Sequence, residues 1–362
     1  MTNHQSILGR MTAQRAYALS IPESSSAAMI DLSGEFVTSA TTSALRAQTV
    51  HAIEHHLCDH YTRRPGIVTL CRTVASSLSA AGVPLDENLV TICGGVAEAR
   101  FVAVRSLATR KDVYLPSPAP AVYHAGLEFA EGRVHIIDLG GRLPKASSGL
   151  LIASNPNPVT GQVIKPDSLH RLAAWAIAAD LEVIADESAG PIRPDALFVR
   201  LASLPGMAER TVTIGSFSKS PGLGAWHVSW IAGAKRVLTP VRDLKQSITI
   251  CTAAASQYAA LAATAAVDES EIGDQFAKRM EAVLSLLDRH NIAYLEPDTL
   301  AFVVAHVADS SAVTSTCRAN GVLLGDGALL GNPGTIRITV PSGSIGIALA
   351  ALDGALNAVK SV

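Results

Sequence analysis

Five stretches of this chain hold groups that can do chemistry together. Gly94-Gly95-Val96-Ala97 follows an apolar run at 89–93 and opens a helical pattern. Backbone N–H groups at such a junction, with the helix dipole behind them, suit a phosphate. Asn155-Pro156-Asn157-Pro158-Val159-Thr160-Gly161 is a rigid polar turn after a second apolar run, and Asp186 ends a third at 182–186. Ser216 and Lys219 close a fourth at 211–217, and Arg337 lies within a fifth at 335–340. Open α/β sheets bind ligands at the carboxyl ends of their strands. A phosphate cradle, a carboxylate, an amine and a guanidinium are therefore expected at one cleft. A cap, a turn or a surface charge explains each of them singly; their order along one chain gives them weight.

Three other patterns say less. His51/His55 and His56/His60 are i,i+4 pairs with zinc-binding spacing, but H-E-x-x-H is absent, so a polar helix face and no metal is expected. Residues 216–219 spell S-x-x-K, yet the S-D-N and K-T-G partners of serine acyl enzymes are missing. Gly222-Leu223-Gly224 is half of a dinucleotide fingerprint, far from a first strand.

The elements that must position these groups alternate. Apolar runs at 89–93, 112–115, 134–139, 150–154, 182–186, 211–217 and 228–233 read as strands, with helical patterns after Gly95 and at 167–180. This predicts a mostly parallel sheet covered by helices on both faces. After Ala234 the character changes. Long helices over 235–266 and 272–290 lead to strands at 301–307 and 335–340 and a closing helix from about 344, a smaller α+β unit.

Composition bounds the partners. The 362 residues carry a net charge of −2, which favours neither nucleic acid nor an anionic membrane. Hydrophobic residues make up 48% and charged ones 17%, which predicts a large buried core, with room for a subunit interface. Cys58, Cys71, Cys93, Cys251 and Cys317 are widely spaced and odd in number, so they read as reduced core thiols of a cytoplasmic protein. The N-terminus has no continuous apolar stretch of signal-peptide type, and no run is long enough to span a membrane.

In sequence the chain resembles the fold-type I, pyridoxal-phosphate (PLP) dependent aminotransferases of class I/II from about Asp31 to the C-terminus. The family's opening pattern is matched by Leu32-Ser33-Gly34-Glu35 and its Y-x-x-x-x-G-x-x-x-L-R segment by Tyr61, Gly66 and Leu70, with Cys71 for the Arg. Its G-A-T-E-A-L helix start is matched by Gly95-Val96-Ala97-Glu98-Ala99, and its N-P-N-N-P-T-G is approximated at 155–161. Its D-E-x-Y begins at Asp186-Glu187, its S-x-S-K is complete at 216–219, and its L-R-I strand is matched by Ile336-Arg337-Ile338.

The resemblance implies a large PLP-binding α/β domain over 45–269, with 1–44 and 270–362 forming a small domain. It implies that Lys219 forms the Schiff base and then moves the α-proton, and that Asp186 faces the pyridine nitrogen. Gly95, Val96, Ala97, Ser216 and His227 would contact the cofactor, with Tyr123 and Asn157 near the ring. Tyr61 would reach the phosphate from a partner subunit, making a homodimer with shared sites, and Gly34 and Arg337 would hold the substrate. The implied reaction moves the amino group of an amino acid to a keto acid.

The match has departures. His227 stands where the family has a phosphate-binding Arg, leaving Arg236 or Arg100 as substitute cations. Ala189 and Pro158 replace a Tyr and an Asn that bond the phenolic oxygen, so Asn155 or Asn157 serves only if the turn shifts register. Pro120 aligns with the ring-stacking aromatic, for which Tyr123 or His124 is a replacement. The stretch between 139 and 150 is too short for the helix usual there. This altered shell leaves open elimination, cyclisation, oxidation or decarboxylation of an amino acid on the same fold. A third reading is a non-catalytic binding partner, against which the presence of Lys219, Asp186 and Arg337 argues.

Overall fold

The structure is a computed structural model that describes residues 29–34, 42–189, 192–217, 222–266, 269–341 and 343–360. In chain order its elements begin β1 (Ile30–Leu32), α1 (Ser43–Glu54), α2 (Val68–Ala80), β2 (Val90–Cys93), α3 (Val96–Leu107), β3 (Asp112–Pro116), α4 (His124–Ala130) and β4 (Arg133–Ile137). There follow β5 (Gly149–Ser154), α5 (Pro166–Ala178), β6 (Leu181–Asp186), β7 (Thr211–Ser216), β8 (Ser229–Gly233), α6 (Lys235–Thr249), α7 (Ala254–Ala266) and α8 (Glu269–Arg289). The chain closes with β9 (Tyr294–Leu295), β10 (Phe302–His306), α9 (Ser310–Ala319), β11 (Val322–Asp326), α10 (Gly327–Leu330), β12 (Thr335–Thr339) and α11 (Ile345–Lys360).

Seven strands form one sheet in the order β2-β8-β7-β6-β5-β3-β4. All neighbours run parallel except β8, which is antiparallel to β2 and to β7. Strands β2, β5 and β7 are buried end to end, and β6 is buried except at Glu182. Burial on both faces is why these strands read as unbroken apolar runs. Registers Ser154↔Asp186 and Asp186↔Ile214 bring the ends of β5, β6 and β7 to one edge. A second sheet, β1-β11-β12-β10-β9, packs Phe302, Val304, Ile336 and Ile338 against Val283 and Leu287 of α8 and Leu352 and Leu356 of α11.

Several expectations change. The helix read over 235–266 is two helices. Ile250 breaks it at φ 50°, and the Thr252 hydroxyl donates to the Ile92 carbonyl at 3.0 Å, tying the break to β2. The β-branched run Ile248-Thr249-Ile250 weakens the helix there. Strands β1 and β11, which pair in parallel, fall outside the runs that periodicity picks out. No helix intervenes between β4 and β5, as the short spacing implies. Cys71, Cys93 and Cys317 are buried, whereas Cys58 and Cys251 are only half-buried, so not all five are core thiols. Among the described residues no helix is long and apolar enough to cross a membrane.

One glycine holds the site edge in place. Gly215 pairs with Trp230 across β7 and β8, and a Cβ at 215 would lie 2.0 Å from the indole ring. Gly215→Ala is therefore expected to destabilise the protein by about 3 kcal/mol through overpacking. Thermal unfolding should show the midpoint falling by several degrees, and an unchanged midpoint would mean the ring moves aside freely.

Candidate active site

The cradle forms where β2 hands over to α3. Gly95 is the N-cap at φ 89°, a conformation that side chains oppose, and no side chain caps the first turn. The N–H groups of Val96 and Ala97 thus begin a helix open to an anion. Glu98 turns back from this turn: its carboxylate accepts from Gly94 N–H at 2.5 Å and from the Thr249 hydroxyl at 2.8 Å. A Cβ at Gly95 would stand 3.0 Å from His227 Nδ1 and 3.3 Å from its Cβ. Ser216 joins them from β7, since Phe217 N–H donates to the Val228 carbonyl at 3.3 Å beside His227. Gly95, Val96, Ala97, Ser216 and His227 therefore converge. Lys219 lies outside the described residues.

Asp186, 1% exposed, ends β6 at the same edge. Its Oδ2 accepts from Arg100 Nε and from the Tyr123 hydroxyl, both at 2.7 Å. Its Oδ1 accepts from Ser188 N–H at 3.0 Å and from the Ser188 hydroxyl at 2.5 Å. Arg100 Nη2 also donates to Ser188 Oγ at 3.0 Å, and Tyr123 Oη sits 2.6 Å from Ser154 Oγ. Burial pushes the Asp186 carboxyl up, but the Arg100 charge and the bonds from Ser188, Tyr123 and Arg100 outweigh it and hold the group below its usual range. Burial and the adjacent Asp186 charge push the Tyr123 phenol well above its ordinary value, so it stays a donor.

A third group stands on the second sheet. Arg337 of β12 is buried; it donates to the Ser33 carbonyl at 2.7 Å and to the Pro158 carbonyl at 3.4 Å, and lies over the Phe302 ring. Thr339 donates to the Gly34 carbonyl at 2.5 Å, so Gly34 and Arg337 meet beside the 155–161 turn. That turn is joined to the Asp186 group, because Asn155 N–H donates to the Asp186 carbonyl at 2.9 Å.

The model of the family described as aminotransferase class I and II matches residues 28–351. The chain belongs to that family. A Bacillus subtilis protein named putative aminotransferase YugH is 29% identical over 219 residues, 56% of each chain, so the match spans little over half of that relative. The aspartate aminotransferase of Pyrococcus abyssi is 27% identical over 69% of this chain and 70% of its own. Among solved structures, the aspartate aminotransferase of Thermotoga maritima superposes with a TM-score of 0.82 at 23% identity, covering 96% of this chain and 97% of that one. N-succinyldiaminopimelate aminotransferase from Mycobacterium tuberculosis gives 0.80 at 22% identity, with 96% and 97% covered. These likenesses carry the fold.

Class I and II aminotransferases are enzymes that use PLP. The residues of this family member fit that group. The uncapped helix start at Gly95 and the hydroxyl of Ser216 suit its phosphate, the more so as a Cβ at 95 would run into His227. A buried carboxylate at Asp186 stands one strand from Ser216. Gly95→Ala is expected to weaken PLP binding about tenfold, the cost of an alanine at positive φ pressed on His227. Equilibrium dialysis checks it; equal affinity would remove Gly95 from the cradle.

The substitute contacts resolve differently from the sequence reading. Arg236 lies 3.5 Å from Glu182, at the start of β6 and the opposite edge of the sheet, so it does not replace the missing cation. Arg100 goes to Asp186 rather than to the cradle. Each asparagine commits its amide oxygen and one amide N–H within the chain. Asn157 accepts from Val159 N–H at 2.8 Å and donates to the Pro118 carbonyl at 3.0 Å, while Asn155 accepts from Ile164 N–H at 2.8 Å and donates to the Val199 carbonyl at 3.0 Å. The Tyr123 hydroxyl is engaged with Asp186 and Ser154. Tyr61 is 83% exposed and joins none of these groups within one chain. Among the described residues no three metal-binding side chains cluster, and His56 pairs with Asp59 at 2.7 Å.

Sequence reading missed two partners of the Asp186 carboxylate, Arg100 and Ser188, and the Ser154 hydroxyl that meets Tyr123. It also missed Arg200, which pairs with the buried Glu187. One signal for Arg100 was present. Val96, Ala99, Ala103 and Leu107 mark the buried stripe of α3, and a basic residue at 100 falls on that stripe.

Proposed function

We propose that this protein transfers the amino group of an amino acid to a keto acid, with Lys219 as the residue that holds PLP and moves the proton. The observation that carries this reading is the family match over 28–351; Gly95 after β2, Asp186 at the end of β6 and Arg337 bonded to the 155–161 turn support it. PLP, when bound, supplies an electron-withdrawing ring that stabilises negative charge at the substrate α-carbon. The chain supplies the rest. The N–H groups of Gly95, Val96 and Ala97, the Ser216 hydroxyl and His227 hold the phosphate, and Asp186 sits at the ring end. The Lys219 amine would take the proton from the substrate α-carbon. Arg337 grips the substrate carboxylate with its planar fork, beside Gly34.

Tyr61 is assigned to the phosphate of a second copy, which makes the working unit a homodimer; its exposure supports this. We divide the chain into a large unit over 45–269 and a small one from 1–44 and 270–362. The free thiols support a cytoplasmic setting. Because relatives are named as aspartate, aromatic-amino-acid and N-succinyldiaminopimelate aminotransferases, those donors head the substrate panel.

The test uses PLP-loaded protein, each donor labelled with nitrogen-15, and 2-oxoglutarate. Label appearing in glutamate supports the reading; label released only as ammonia, or retained in every donor, sinks it. Arg337→Lys is expected to raise KM for the donor about 30-fold with a smaller fall in kcat, because an ammonium cannot form the bidentate pair. An unchanged KM would take Arg337 out of substrate binding.

A further inference from the structure

The ring end of the site has a charge arrangement that the family pattern lacks. That pattern, G-A-T-E-A-L, ends in an apolar residue; here the position after Ala99 is Arg100, 6% exposed. Its guanidinium reaches Asp186 at 2.7 Å, with side-chain exposures of 7% and 1% for the two partners. The pair sums to zero charge inside the protein. It is also sterically complete at the carboxylate. A carboxylate offers about four acceptor positions. On Asp186 they are met by Arg100 Nε, the Tyr123 hydroxyl, and the N–H and hydroxyl of Ser188. A ring N–H arriving at this carboxylate must displace a charge-assisted bond or the phenol of a fully buried tyrosine.

We propose that Arg100 is a positioning residue that acts through Asp186: by neutralising the carboxylate and filling its Oδ2 with Tyr123, it leaves the ring nitrogen of bound PLP largely unprotonated. The assignment rests on the PLP reading above and deepens it. An unprotonated ring withdraws electrons less strongly and so would stabilise negative charge at the substrate α-carbon less. Arg100 Nε and Nη2 are directed to Asp186 and Ser188, at the ring end of the site.

The test measures protonation directly. PLP labelled with nitrogen-15 in the ring is bound to the wild-type holoenzyme, to Arg100→Leu and to Arg100→Gln, and the ring-nitrogen chemical shift is read at one pH near neutrality. Leu restores the family pattern; Gln keeps a donor and removes only the charge. The wild type is expected to show the unprotonated shift and both variants the protonated one, a change of about a hundredfold in the protonated-to-unprotonated ratio, as expected for losing a close opposite charge from the carboxylate. A structural role alone would change the melting temperature and leave the shift where it was. A protonated nitrogen in the wild type overturns the proposal without help from either variant, and so does an unprotonated one in whichever variants fold. Equilibrium dialysis on the same samples separates the two readings: a wild type that retains no PLP overturns the cofactor reading and this assignment together, whereas retained PLP with a protonated ring overturns this assignment alone.

Discussion

Lys219→Ala is expected to lower amino-group transfer by about four orders of magnitude, the upper range for removing a positioned proton-transfer group. The same side chain is assigned two tasks, holding PLP and shuttling the α-proton, so no neighbour can cover its loss. Single-turnover measurement with excess PLP isolates the second task from weakened binding. An added primary amine of small size should restore part of the rate in the variant and none in the wild type. Transfer at more than a tenth of the wild-type rate would remove Lys219 from both roles.

Asp186→Ala is expected to have the largest effect on the fold itself. It leaves Arg100 buried without its carboxylate and takes the acceptor from Tyr123 and Ser188. Breaking a buried pair from one side costs about 3–5 kcal/mol, mostly the charge left behind. In a chain of 362 residues that lowers the midpoint of thermal unfolding by roughly 5 °C. Removing both partners, as Asp186→Ala with Arg100→Leu, should recover most of the loss. If the double variant melts no higher than the single one, Arg100 is not the uncompensated charge. The pH dependence has a definite sign. The folded carboxyl titrates below its usual value, so the pair's contribution is complete above the ordinary aspartate pKa of about 3.9 and is lost as the pH falls through the lowered value. The gap in stability between wild type and Asp186→Ala should therefore narrow only in strong acid.

How much of this could be read from the residues depends on whether the signal was local. Strands β2, β5, β6, β7 and β8 announce themselves because burial on both faces requires unbroken apolar runs, and their order alone predicts a carboxyl edge bearing Gly95, Asp186 and Ser216. Arg337 was placed on its strand for the same reason. What stayed hidden was non-local. Arg100 meets Asp186 across 86 residues, Arg337 meets Ser33 across 304, and β1 finds β11 only in three dimensions. Periodicity within a window cannot report such pairings. The break at Ile250 was partly legible, in its β-branched run, but an alanine-rich sequence on its far side masked it. The asparagines of the 155–161 turn looked like ligand contacts because turn residues and binding residues share one chemistry. Their partners at Val159, Pro118, Ile164 and Val199, which hold the turn, are legible only in three dimensions.

The packing of Trp230 over Gly215 has a practical side. The chain has three tryptophans, and this one lies across a glycine next to Ser216, while Trp226 precedes His227 of the cradle. Indole emission overlaps the absorption of a conjugated pyridine aldehyde, so the protein carries its own optical gauge of occupancy. Replacing Trp175, which donates to the Pro144 carbonyl on the outer side of α5, would leave a signal dominated by the two reporters nearest the site. Loading and release of the cofactor could then be followed in real time without a label.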